Sequence, residues 1–264
     1  VLDRTLAHLV AVADTPPAAH PFLEVYHFLR DRLRGLRQDA VLQGLAGPLA
    51  VRVHEVSARF HILAGGRLAG VATVEDGYSA KQNAELLDKC LVSLRDLYDG
   101  RRRAAAAGHR PPLSATEAAA EAEMTAYGVL SNPAPAALAG LLRGAPAAVL
   151  TARPVRWALH LAAGLCESDA GPLDAPRVVA GVAGAPYLPA CLLAAHLPRV
   201  RAAVLDTAVR VVGRGAVGEV LPLWELVDGL YVDDAAAAEA VAAHHGLSVE
   251  AGGIRTRTDA FVRS

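Results

Sequence analysis

The stretch PLWELVDGLY (222–231), DDAAAAEAVAAHH (233–245), G246, LSVE (247–250), AGG (251–253), IRTRT (254–258) carries the order of the C-terminal fold. Apolar residues at helical spacing predict a short helix over 222–231, with Leu223, Trp224, Leu226 and Leu230 as its core residues. A second helix follows over 233–245, and Gly246 stands where a helix-ending glycine belongs. Alternating residues then flank a glycine-containing turn, the pattern of a β-hairpin. Helix, helix, hairpin is the order of a winged-helix module, assigned to residues 213–264.

Outward from this module, residues 1–212 read as helix throughout. Of 264 residues, 53% are apolar and 5% aromatic, with alanine and leucine supplying most of the apolar share. That composition favours helix. Amphipathic periodicity predicts helices over 2–13, 21–45, 48–64, 80–107, 115–131, 136–143, 155–165, 175–181, 188–197 and 200–212. Ser79 and Ser114 are N-cap residues, the latter with Glu117 at capping-box spacing. Gly65-Gly66 reads as the end of the third helix. The predicted fold is mostly α: a solenoid of helix hairpins capped by the winged helix and its small hairpin. The chain opens on amphipathic helix, which reads as a fragment of a longer protein. The uncharged stretch 178–197 reads as a buried helix pair broken at Pro186 and Pro189, and no membrane association is expected.

Enzyme signatures are weak. Gly213-Arg214-Gly215-Ala216-Val217-Gly218 matches the G-x-G-x-x-G pattern, with Asp233 at a suitable distance. A dinucleotide site needs this inside a βαβ unit, and helices flank it here. Cys90, Cys166 and Cys191 have neither disulfide-framework nor zinc spacing and read as buried thiols of a reducing compartment. His244-His245 lacks a third metal ligand. No enzymatic activity, cofactor or metal is expected.

Net charge is −1, so any nucleic-acid surface must be a local patch. Phe28–Asp39 carries four arginines on a helix. Arg30, Arg34 and Arg37 share a face at i, i+4, i+7. With Asp39, Glu55 and Arg59 they are read as an interhelical ion-pair hub, and phosphate binding is the alternative. The expected RNA or partner contacts are Arg255 and Arg257, alternating on the wing strand, and Arg101, Arg102 and Arg103 at the end of a long helix. Glu117, Glu121 and Glu123 read as a solvated acidic face.

Three segments, 26–39, 54–63 and 81–94, resemble in order and spacing the SAC/GANP homology-domain family of PCI-type mRNA-export scaffolds. Residues 121–127, 197–201 and 245–250 match later landmarks. Short loops and Ala/Gly/Pro enrichment look most like the small vertebrate branch associated with centrosomes. Gly35 departs from the family's usual small helix-former, at a cost of ~1 kcal/mol against alanine. The resemblance implies a non-enzymatic scaffold that pairs through its winged helix with a second PCI-domain subunit. That subunit in turn holds a small acidic Sem-type protein. For the small branch it implies roles in centrosome duplication, spindle assembly and mitosis, in the cytoplasm, at centrosomes and on the spindle. The alternative is a nuclear mRNA-export adaptor that binds single-stranded RNA jointly with its partner.

Overall fold

In the computed structural model the described residues are 2–14, 21–70, 73–166, 173–212, 220–250 and 252–255. They form α1 (Leu2–Asp14), α2 (Phe22–Leu42), α3 (Pro48–Leu68), α4 (Ala80–Ala106), α5 (Ala115–Ser131), α6 (Pro135–Leu142), α7 (Ala147–Thr151) and α8 (Arg153–Leu165). There follow α9 (Ala175–Ala183), α10 (Tyr187–Ala194), α11 (Leu197–Val212), β1 (Val220–Pro222), α12 (Leu223–Leu230), α13 (Ala235–His244), β2 (Val249–Glu250) and β3 (Gly253–Arg255). The fold is mostly α, as the sequence predicts. Among the described residues no single helix is long and apolar enough to cross a membrane, and the uncharged stretch divides between α9 and α10.

Contacts divide the chain into two units, one of residues 1–159 with 187–192 and the other of 160–186 with 193–264. In the first, successive helices α1 to α5 pack each on the next, and α6 and α7 pack on α5. The core is Leu6 and Leu9 of α1, Leu29, Leu33 and Leu36 of α2, and Val53, Phe60 and Ala64 of α3. Tyr26 is 1% exposed at its centre. Its ring stacks on Phe60 at 5.9 Å and meets Tyr78 edge-on at 5.2 Å, geometries that add to simple burial.

Local chemistry explains most helix boundaries. Ser79 Oγ accepts from the Gln82 N–H, and Ser114 with Glu117 completes a capping box. The Gly65-Gly66 pair does not end α3. A Cβ on Gly66 would collide with the Cys191 side chain, so this glycine is a packing notch inside a helix that continues to Leu68. The chain turns at Gly70, where φ is +69°.

The second unit contains the winged helix. Leu205 and Val209 of α11 share one core with Leu223, Leu226 and Leu230 of α12, Ala238 and Ala242 of α13, Leu247 and Ile254. The expected module boundary after residue 212 therefore separates α11 from the core it helps to build. β1 is a third strand that the sequence reading lacked. It pairs antiparallel with β3 (Leu221 opposite Ile254), and β3 pairs with β2 (Val249 opposite Ile254), giving the order β1-β3-β2. Pro222, expected to open a helix, ends β1 and caps α12. Asp234 caps α13 by accepting from the Ala237 N–H at 2.8 Å.

Leu205 is fully buried. Leu205→Ala should cost about 2–5 kcal/mol. Hydrogen exchange should show lost protection in α12 and α13 as well as in α11. Unchanged protection in α12 and α13 would mean that α11 is not part of the module.

Candidate interaction surfaces

The arginine-rich helix α2 is not the expected hub. Its buried stripe is Val25, Tyr26, Leu29, Leu33, Leu36 and Ala40. Arg30 and Arg37 border that stripe, and Arg34 lies further round, exposed and without an ion pair among the described residues. Arg30 Nε donates to its neighbour Asp31 at 3.0 Å, and its guanidinium sits 5.7 Å from the Tyr26 ring centroid. Arg37 donates to the buried Cys90 Sγ at 3.1 Å. Asp39 is exposed. Among the described residues, none of these three arginines joins a carboxylate on another helix.

The network lies one helix further on, where α5 faces α3 and α4. Arg59 of α3 grips Glu123 of α5 with two bonds, Nε to Oε1 at 3.1 Å and Nη2 to Oε2 at 2.7 Å. Its other terminal nitrogen lies 3.5 Å from Glu55. The Tyr127 hydroxyl donates to Glu123 at 2.6 Å, and the Tyr98 hydroxyl donates to Glu55. Arg101 of α4 pairs with Glu117, and Arg102 pairs with both Glu121 and Asp99. Of the expected hub, Glu55 and Arg59 belong to this network. Arg30, Arg34, Arg37 and Asp39 do not.

This arrangement corrects two expectations. Glu117, Glu121 and Glu123 are not a solvated face, because each meets an arginine from a neighbouring helix. Arg101 and Arg102 are not free for phosphate, since their forks are occupied by carboxylates, and Arg101 is only 9% exposed. Arg103 alone of the three is exposed. The signal available in the sequence was the i, i+4 spacing of Glu117 and Glu121 beside two adjacent arginines.

Charges are tuned accordingly. Burial alone would raise the Glu123 carboxyl, but hydrogen bonds from Arg59 and Tyr127 outweigh it and hold the group below its usual value. The hydrogen bond from Arg101, with that from the Ser114 N–H, holds Glu117 down to about 2. Burial pushes the Tyr98 and Tyr127 hydroxyls up, and their carboxylate acceptors push them further. Elsewhere on α3, burial lowers His61 to about 4 although Asn83 bonds its Nδ1 at 2.9 Å. Burial raises the Cys90 thiol to about 11, so it is an inert thiol rather than a nucleophile. Among the described residues no cluster of metal-ligating side chains occurs.

The winged helix presents a different surface. Trp224, expected in the core, is 71% exposed, and Tyr231 is 39% exposed. Leu223, Leu226 and Leu230 share the buried face at i, i+3, i+7, and Trp224 stands about 100° away from it. Tyr231 ends α12 in the left-handed region, φ 52° and ψ 62°. A non-glycine residue rarely adopts this. Arg201 of α11 secures it, donating to the carbonyls of Leu230 and Tyr231, each at 2.9 Å. Residues 215–254 contain seven acidic residues and no lysine or arginine. The helix that would enter a nucleic-acid groove, α13, thus has no cation of that kind. Arg255 lies on β3 opposite Val220. Arg257 and the glycine-rich match 213–218 lie outside the described residues, and what precedes that match is helix α11 rather than a strand.

Folded Glu117 and Glu123 titrate below an unfolded carboxyl, so their stabilisation is full above ~pH 4.3 and is lost as pH falls toward 2. Thermal melts between pH 6 and 2 should show this loss, and Glu117→Gln should flatten its acid limb. Glu123→Gln should cost about 1–3 kcal/mol at neutral pH. A wild-type acid profile in Glu117→Gln would remove that pair from the account.

The model of the SAC3/GANP family matches residues 1–251. The chain is 29% identical to Protein xmas of Drosophila melanogaster over 231 residues, covering 86% of this chain and 10% of that protein. It is 32% identical to SAC3 family protein B of Arabidopsis thaliana over 106 residues, 39% of this chain and 6% of the relative. It is 38% identical to SAC3 family protein 1 of Schizosaccharomyces pombe over 104 residues, 39% of this chain and 10% of the relative. The chain thus spans a tenth or less of the length of these relatives. With a family match running from the first helix to the wing, this chain belongs to the SAC3/GANP family.

Proposed function

We propose that the chain is a non-enzymatic scaffold subunit whose winged helix docks a second PCI-domain subunit, which in turn holds a small acidic Sem-type protein. The observation that carries this reading is Trp224, a large aromatic left 71% exposed on a helix whose three leucines are buried. Exposed tryptophan is the residue type most enriched among interface hot spots. The acidic character of residues 215–254 favours a protein partner over nucleic acid at this face.

The family is linked to mRNA-export complexes, and this supports placing the scaffold in such an assembly. RNA contact then falls to a surface shared with the partner, to which Arg103 and the wing residues Arg255 and Arg257 would contribute. Roles in centrosome duplication and at the spindle rest on the likeness of the short loops and Ala/Gly/Pro-rich composition to the small vertebrate branch.

Co-purification with a second PCI-domain subunit tests the docking reading. Trp224→Ala should weaken the complex by about 2 kcal/mol or more, roughly thirtyfold, with the fold retained. Unchanged affinity would move the interface elsewhere. Single-stranded RNA should bind the pair better than the chain alone, with affinity falling steeply as salt rises. Equal, salt-independent binding by both would contradict a shared phosphate-binding surface.

A further inference from the structure

The first unit contains a recess between α4, α5 and the α6–α7 link, one wall of which is the Tyr98, Asp99, Arg102 and Glu121 end of the charge network. Its floor is apolar: Leu91 and Leu94 of α4, Met124 of α5, Leu141 of α6 and Val149 of α7. The open space is about 40 Å³. A single water position takes roughly 10–15 Å³ on this measure and each water occupies ~30 Å³ of liquid, so the recess has room for about three waters. That is the bulk of one leucine or methionine side chain.

The mouth is built and charged. Leu142 to Ala145 form a tight turn, closed by the Ala145 N–H donating to the Leu142 carbonyl at 3.1 Å. Arg143 has φ −62° and ψ 120°, and Gly144 has φ +79°, which makes the turn type II. The glycine is required at its left-handed corner, and the turn displays Arg143, exposed, at the rim. Arg95 of α4 lines the same recess and donates to the Gly140 carbonyl at 3.2 Å, tying α6 to α4. Arg102 also lines it but is held between Asp99 and Glu121. Arg95 and Arg143 therefore tip the lining to net positive.

We infer that this recess is a docking site for a peptide segment of a partner protein, one that offers a leucine- or methionine-sized side chain flanked by carboxylates. The apolar floor takes the side chain and supplies affinity. The two rim arginines select acidic neighbours and exclude basic ones. The recess belongs to the first unit and the winged helix to the second, and they share no lining residue.

Met124 is the chain's only methionine and lines the floor, so its methyl group is a reporter inside the site. The full chain, labelled with carbon-13 at the methionine methyl, is titrated with three capped pentapeptides at up to millimolar concentration. These are leucine flanked by two aspartates on each side, alanine in the same frame, and leucine flanked by lysines. The acidic leucine peptide should shift the Met124 methyl signal saturably. The alanine peptide should bind at least tenfold more weakly, and the lysine peptide should leave the signal in place. Arg143→Glu sits on an exposed turn and should leave the unliganded signal where it was, while weakening the acidic peptide at least threefold. No shift with any peptide, an equal shift with the lysine peptide, or unchanged affinity in Arg143→Glu would overturn the inference.

Discussion

Three glutamates of α5, Glu117 and Glu121 toward α4 and Glu123 on another side toward α3, accept arginines from its two neighbours, and this exchange fixes how α5 sits in the first unit. Removing these charges from water is costly, and the cost is offset only where geometry is close and remaining lone pairs are bonded. Arg59 and Glu123 meet that condition, with a two-bond grip and a tyrosine hydroxyl on the carboxylate. Such pairs add less net stability than apolar packing of equal volume. What they add is register: α5 cannot slide or rotate against its neighbours without leaving half-buried charges unpaired. The apolar floor of the recess between α4 and α5 depends on the same register.

The same pairing limits what the surface can do. Arginine is suited to phosphate, but an arginine already forked onto a carboxylate is lost to RNA. Neutralising Arg101 and Arg102 leaves the first unit with scattered exposed cations such as Arg34, Arg103 and Arg143. The winged helix, in many proteins a nucleic-acid reader, here lacks lysine and arginine on α13 and shows an aromatic residue instead. Among the described residues, both units thus present surfaces better matched to proteins than to a phosphate backbone.

Much of the fold was legible in the residues. Serine caps, glycine stops and the 3.6-residue period placed most helices near their observed ends, because those signals act within one or two turns. The hairpin was legible through Gly252 at φ +77°. β1 was not, since three residues ending in proline carry no strand signal, and their pairing with β3 spans more than 30 positions. Gly65-Gly66 misled for the same reason: the Cys191 side chain that requires Gly66 is distant in sequence.

The sequence by itself determined the helical class, the order of helices and hairpin at the C-terminus, and the set of arginines and carboxylates available for pairing. Tertiary structure alone decided which of them met. Periodicity states which residues share a side of a helix, whereas the neighbour covering that side comes from elsewhere in the chain. Arg59 and Glu123 are 64 residues apart, and nothing local distinguishes them from Arg34 and Asp39. Trp224 lies between the two cases. Its departure from the i, i+3, i+7 stripe was readable, but only the packed core showed that Trp224 is left exposed among the described residues.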